Sequence, residues 1–261
     1  MEVIITDTVD EIGRIGAQAV VQLVQRSPDA VLGLATGSSP VSLYDELARR
    51  VSAGEISLRE CFGFTLDEYV GLPPEHPQQY RTVVERDFVS KVDMPSASVH
   101  SPDGLAADIP AECARYEQLI RDAGGVDLQI LGIGSDGHIA FNEPGSSLAS
   151  RTRIKTLTSQ TRRDNARFFD GDLDAVPIQS LTQGIGTIME ARHLLMVANG
   201  PGKAEAIRNA IEGPVSAVCP GSILQLHPHV TVVVDEPAAA MLQYRDYYRE
   251  AWAAKPHWQG F

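Results

Sequence analysis

The stretch Asp136-Gly137-His138-Ile139-Ala140-Phe141-Asn142-Glu143-Pro144 places an Asp, a His and a Glu in one short loop. Two carboxylates beside an imidazole can fix its tautomer and tune it for proton transfer near neutral pH. Residues 126–134 read as a buried strand running into glycines, so the loop sits at a strand's carboxyl end, where open α/β sheets bind ligands. Asp67 ends a second strand pattern, 61–66, and suits a general base there. With Glu68 it suits the capping of a turn equally well. A third strand end carries Thr36-Gly37-Ser38-Ser39-Pro40 before a helix pattern. Glycine lets the backbone approach an anion, the hydroxyls donate, and a helix N-terminus offers oriented N–H groups. A phosphate monoester would fit such a turn, and so would a capped turn with no ligand. Neither the Walker nor the dinucleotide-binding glycine spacing is present.

Two cations could complete an anion site. Lys203 follows Asn199-Gly200-Pro201-Gly202 at another strand end, and Arg167 lies in Asn165-Ala166-Arg167-Phe168-Phe169. Taken singly, each reads as a solvated surface charge. Asp136, His138 and Glu143 match no H-E-x-x-H or Cys/His metal pattern, so no metal is expected. Ser38, Ser39, Ser146 and Ser147 lack the G-x-S-x-G elbow, which speaks against a serine hydrolase. His76, His227 and His229 flank prolines and read as surface-turn residues.

The elements that must hold these groups alternate in type. Short apolar strands are expected at 3–5, 31–35, 61–66, 126–134, 154–157, 193–198 and 230–234. Helices are expected at 10–25, 41–53, 78–89, 111–123, 159–168, 183–191 and 202–211, with one more at the C-terminus. Apolar strands separated by helices predict a single-domain, doubly wound α/β fold with a mostly parallel sheet and helices on both faces. No repeat, low-complexity tract or linker interrupts the pattern.

The 261 residues are 43% hydrophobic and 21% charged, an ordinary globular composition. A net charge of −12 disfavours nucleic acid and anionic membranes as partners. The N-terminus lacks the pattern of a signal peptide, and no apolar run approaches a membrane span. Cys61, Cys113 and Cys219 are isolated and odd in number, and read as buried free thiols of a reducing cytoplasm.

Four motifs together resemble the glucosamine-6-phosphate deaminases of the glucosamine-6-phosphate isomerase/6-phosphogluconolactonase family. They are Leu34–Pro40, Leu66–Leu72, Gly132–Pro144 and Ser150–Thr158, within a likeness spanning about 31–237. The first is shared with the lactonases, whereas the third and fourth are longer and more specific. The resemblance implies a Rossmann-like sheet of the ribose-5-phosphate isomerase/CoA-transferase type. It also implies conversion of glucosamine 6-phosphate and water to fructose 6-phosphate and ammonia, without metal or organic cofactor. Asp67 would be the C2 base, and His138 would open the ring with Asp136 and Glu143 behind it. Thr36, Gly37, Ser38, Ser39, Arg167 and Lys203 would hold the phosphate, under a mobile lid at 158–183.

Some bacterial members are hexamers activated by N-acetylglucosamine 6-phosphate. Ser146, Arg153, Lys155 and Thr156 match their activator site, and the resemblance favours a homo-oligomer, a hexamer first. The tyrosine that completes such sites has no clear counterpart among Tyr244, Tyr247 and Tyr248, and Arg249 stands near its register. Two other functions share this fold: a 6-phosphogluconolactonase-type hydrolase and a non-catalytic sugar-phosphate sensor.

Overall fold

Apolar runs of four to six residues form the strands because both faces of their sheet are covered, so no alternation of polar and apolar residues is needed. A computed structural model describes residues 1–261, the His257 side chain excepted. In chain order the elements are β1 (Glu2–Thr6), α1 (Val9–Arg26), β2 (Val31–Leu34), α2 (Val41–Ser52), β3 (Phe62–Thr65), β4 (Asp67–Tyr69), α3 (Tyr80–Asp87), β5 (Val99–His100), α4 (Ile109–Asp122) and β6 (Leu128–Leu131). They continue with β7 (Arg153–Thr156), α5 (Ser159–Asn165), β8 (Gln179–Thr182), α6 (Ile185–Ile188), β9 (His193–Ala198), α7 (Ala204–Ile211), β10 (Val230–Asp235) and α8 (Arg245–Ala253).

Seven strands form a sheet in the order β1-β10-β9-β6-β2-β3-β5, all pairs parallel. The order reverses between β2 and β6. Chain leaving β2 builds outward through β3 and β5, whereas chain leaving β6 builds the other way through β9 and β10. The loops after these two central strands therefore diverge and open a crevice at their carboxyl ends. One is the Thr36–Pro40 turn and the other carries Asp136, His138 and Glu143. The expected doubly wound parallel sheet is thus the fold observed.

Local signals set the helix starts. Thr8 caps α1 by accepting from the Glu11 N–H, and Asp108 caps α4 by accepting from Ala111 N–H, with Pro110 in the first turn. α1 packs on α2, and α8 covers β1.

Several expectations are corrected. A second, antiparallel sheet of order β4-β8-β7 stands beside the first. Asp67 begins its own strand in that sheet, and 179–182, expected within the polar lid, is another. The helix expected over 183–191 is reduced to α6, Ile185–Ile188: the Gln183 N–H is taken by the Leu66 carbonyl and Gly184 is extended, so the first turn begins only at Ile185. His227 is not a surface-turn residue: it is buried, with Nε2 2.7 Å from the Ala191 carbonyl. Of the three thiols, Cys61 and Cys113 are buried and Cys219 is half-buried.

The main core fills both faces of the parallel sheet. A smaller apolar cluster of Tyr69, Leu72, Phe141, Leu157, Ala166, Phe169 and Val176 lies between the antiparallel sheet and the segment that crosses from β7 to β8. Pairing of the Leu157 N–H with the Ile178 carbonyl closes the base of that excursion.

Candidate active site

The crevice between the two diverging loops is a cavity of about 370 Å³. Thr36, Gly37, Ser38, Ser39, Asp67, His138, Arg167 and Lys203 all line it. The residues named from sequence for an anion thus share one space with Asp67 and His138, whereas Asp136 and Glu143 do not line it. Gly37 adopts φ +91°, a conformation few side chains tolerate, and this turns the backbone of 36–39 toward the cavity. α2 begins directly behind, with no side chain capping its first N–H groups. Among the described residues neither Arg167 nor Lys203 has a carboxylate partner within ion-pair distance. Burial and then the Arg167 charge lower the Lys203 pKa. Two cations held in a cleft at that cost suit an anionic guest.

Asp67, which lines the same cavity, is 5% exposed. Burial, then the neighbouring Glu68, push its carboxyl up from 3.8 to about 8, with His138 opposing. Glu68 itself is turned away: its carboxylate accepts N–H bonds from Tyr69, Tyr80 and Arg81. Adjacent acids therefore have different tasks, because strand alternation sends them to opposite faces.

His138 reaches the cavity while Asp136 and Glu143 stand behind it. Its Nδ1 lies 2.7 Å from Asp136 Oδ1 and 3.6 Å from Glu143 Oε2. The nearer approach is a charge contact off the axis of an N–H bond, since Nδ1 has no hydrogen-bond partner by geometry. Burial opposes a charged imidazole, but Asp136 and then Glu143 outweigh it and raise His138 to about 9. Burial likewise opposes the Asp136 anion, and contact with His138 brings it down to about 2. The ring position requires Gly134, where a Cβ would lie 2.3 Å from His138 Cε1. Donor atoms of Asp136, His138 and Glu143 lie within 4.8 Å of one another, a spacing that could also accommodate a metal ion.

Sequence reasoning missed the cavity wall made by α3: Tyr80, Val83, Arg86 and Asp87 all face the cavity. Helix periodicity gave α3 an apolar side but could not say what it faces. Thr161, Asp164, Asn165, Arg167 and Phe168 roof the cavity from the 158–183 segment. Ser135 Oγ donates to Asp164 at 2.9 Å, and Asn165 Nδ2 to the Tyr69 hydroxyl at 2.9 Å, fastening the roof to the walls.

The four residues matched to an activator site lie outside the cavity, and two of them, Ser146 and Arg153, touch its loop. Ser146 Oγ donates to the Glu143 carbonyl at 2.6 Å, and Arg153 Nη1 to Asn142 Oδ1 at 2.9 Å. Arg153 and Lys155 share one face of β7, and Thr156 lies on the other. At the C-terminus, Arg249 is engaged by Glu236 and Asp246, and Tyr248 by Glu212.

Strand-order reversal, a glycine-bearing turn before a helix, two cations and a buried Asp67 beside His138 in one crevice are the features of an α/β protein suited to a small anionic molecule. The family model described as glucosamine-6-phosphate isomerases/6-phosphogluconolactonase matches residues 6–233, and the chain belongs to that family. A glucosamine-6-phosphate deaminase of Mycolicibacterium smegmatis is 65% identical over 260 residues, covering 100% of both chains. That of Streptomyces coelicolor is 55% identical with the same coverage. A solved monomeric glucosamine-6-phosphate deaminase superposes with a TM-score of 0.90 at 42% identity, over 92% of this chain and 100% of that one. A 6-phosphogluconolactonase from Trypanosoma cruzi, at 19% identity and a TM-score of 0.75 over 93% and 97% of the two chains, shares the fold.

Proposed function

We propose that the protein converts glucosamine 6-phosphate and water to fructose 6-phosphate and ammonia, as an enzyme of amino-sugar catabolism. The observation that carries this reading is the single cavity lined both by Arg167 and Lys203, which have no carboxylate partner among the described residues, and by Asp67 and His138. A phosphate held by Thr36, Gly37, Ser38, Ser39, Arg167 and Lys203 leaves the C1–C2 end of the sugar for the acid–base groups. Binding energy at the phosphate then supports chemistry at the far carbons.

His138, held by Asp136 and Glu143, passes a proton to the ring oxygen as the anomeric hydroxyl loses one, and the ring opens. Asp67 takes the C2 proton of the open aldehyde. A carboxylate whose pKa is near 8 is a stronger base than an ordinary one, which suits a weak carbon acid. The enolamine so formed takes the proton back at C1, giving a ketimine. Addition of water and loss of ammonia yield fructose 6-phosphate. The segment at 158–183 serves as a lid on one α/β domain, and no metal or organic cofactor takes part.

A cytoplasmic location suits a phosphorylated substrate, and no helix is long and apolar enough to cross a membrane among the described residues. Activation by N-acetylglucosamine 6-phosphate in a homo-oligomer, a hexamer first, belongs to the same reading. Its support is half-buried Arg153, which has no carboxylate partner among the described residues and bonds to the loop of Glu143 through Asn142. A monomer without activator is the second reading, favoured by the similarity to a monomeric deaminase.

The test is to incubate the protein with glucosamine 6-phosphate in EDTA, with and without N-acetylglucosamine 6-phosphate. Equimolar ammonia and fructose 6-phosphate are expected, with stimulation by the acetylated sugar. Turnover abolished by EDTA and restored by a divalent ion would instead assign Asp136, His138 and Glu143 to a metal. Folded protein that makes neither product, yet hydrolyses 6-phosphogluconolactone, would overturn the proposal.

A further inference from the structure

Glu143 is 2% exposed, and a buried carboxylate needs donors. Apart from its approach to His138, the donors it has come from one residue. The Thr158 backbone N–H donates to Glu143 Oε1 at 2.9 Å, and the Thr158 hydroxyl to Oε2 at 3.4 Å. Thr158 is also the residue that starts the roof over the cavity. Its Oγ1 accepts from the Thr161 N–H at 3.1 Å and lies 3.0 Å from Thr161 Oγ1, so it caps α5. Thr161 is 3% exposed and lines the cavity. The last backbone pair of the excursion, Leu157 with Ile178, immediately precedes it. One residue therefore fixes the start of the roof and the rear carboxylate of the imidazole.

We propose that Thr158 is a positioning residue: it orients Glu143 against His138 and so ties the placement of the segment over the cavity to the readiness of the ring-opening group. The inference rests on the reading that His138 opens the ring, and goes beyond it by naming what sets His138. When the roof segment lies as it does here, Glu143 is held by Thr158, chiefly through the backbone N–H, and faces the imidazole. When Thr158 moves with the segment, Glu143 loses both donors, and His138 is left with Asp136 alone. Ring opening would then be confined to the closed cavity, where water cannot compete for the proton.

The backbone at 158 allows a direct test. Thr158 has φ −66° and ψ 156°, within the range of proline, so Thr158→Pro deletes the N–H and the hydroxyl at a compatible φ and puts its ring where the N–H met Glu143. Thr158→Ser keeps both donors and Thr158→Val only the N–H. Two readouts are needed: steady-state rates on glucosamine 6-phosphate, and the NMR titration of the His138 imidazole in the free protein, which requires no catalysis. In Thr158→Pro, kcat should fall about tenfold, the loss of one charge-assisted hydrogen bond, with KM changed less than about twofold. The His138 midpoint should drop in the same variant. Thr158→Ser should match the parent in both, and Thr158→Val should move the midpoint the same way by less.

A Thr158→Pro protein with the parent's kcat and His138 titration would overturn the proposal. So would a Thr158→Pro protein that loses activity while His138 titrates as in the parent, since the loss would then come from a loosened roof. If Thr158→Pro does not fold, an unchanged His138 midpoint in Thr158→Val decides against the proposal. A parent enzyme that fails to deaminate leaves the titration result intact, so failure of the function and failure of the positioning role are told apart.

Discussion

Asp67 and His138 meet in one cavity with their proton affinities displaced upward for different reasons, and pH should reveal both. Asp67 must be ionised to take the C2 proton, so kcat/KM should rise through about 8. His138 must hold its proton for the ring oxygen, so the rate should fall through about 9. A bell with its top between these limbs is expected, and a rate that is flat from pH 6 to pH 10 would contradict the assignment. Asp67→Asn should lower kcat by at least about a hundredfold, the scale of a lost general base, while substrate binding persists. The same change should stabilise the fold at alkaline pH. A carboxyl whose folded pKa lies above its unfolded value of 3.8 costs stability once the unfolded chain ionises, and the cost grows as pH rises toward about 8. Melting of Asp67→Asn beside the parent should show a Tm gain that is larger at pH 8.5 than at pH 5.

At the scale of elements, the roof depends on α5 being tied to the loop that follows it. Arg162 Nη2 donates to the Leu173 carbonyl at 2.7 Å and to the Val176 carbonyl at 3.1 Å, and Nε donates to Val176 at 3.2 Å. Arg162 does not line the cavity, so its removal should act through the segment. Arg162→Met keeps an aliphatic side chain and deletes these bonds, each worth about 1.5–3 kcal/mol at full strength. Hydrogen exchange over 166–178 should quicken, and KM should rise about five- to tenfold with a smaller change in kcat. Unaltered exchange would mean that the apolar cluster around Tyr69 and Phe169 holds the segment without Arg162. Much of this scale was legible in sequence. Strands β2, β6, β9 and β10 are mostly apolar, interrupted only by Gln129, His193, Thr231 and Asp235, and the pattern locates each to within a few residues. β4 and β8 were not legible. Asp67-Glu68-Tyr69 and Gln179-Ser180-Leu181-Thr182 carry no strand signal of their own, and become strands because they pair with each other.

Across the whole molecule, the amino ends of the interior strands β9 and β10, opposite the end that carries the Thr36–Pro40 turn, hold an acid-sensitive cluster. His193 is buried and stacks on His229 at 3.7 Å between ring centroids, with its Nε2 2.9 Å from Thr231 Oγ1. Burial first, then the nearby His229, His227, Lys255 and Arg26, lower it from 6.5 to about 3. A base with a depressed folded pKa contributes stability that is full above its unfolded value and declines as pH falls from 6.5 toward 3. By pH 5 this group alone accounts for a loss of about 2 kcal/mol. The fall in stability between pH 7.5 and pH 5 should therefore be smaller in His193→Gln than in the parent, read by urea melts at the two pH values. An equal fall in both proteins would place acid sensitivity elsewhere.

What is local can be read along the chain: the acid and imidazole loop, the glycine turn at 36–40, the alternation that makes a parallel sheet, and through those motifs the family. These depend on residue type and short spacing, which a linear reading keeps. Which strand ends meet emerges only when the chain folds. Reversal of strand order between β2 and β6 brings the Thr36–Pro40 turn and the His138 loop to one crevice, and β4 pairing with β8 sends Asp67 into it and Glu68 away. Folding also puts Thr158 behind Glu143 and buries His227, beside a proline, against the Ala191 carbonyl. Those contacts join residues distant in the chain, and their energies exist only once burial has removed water from both partners.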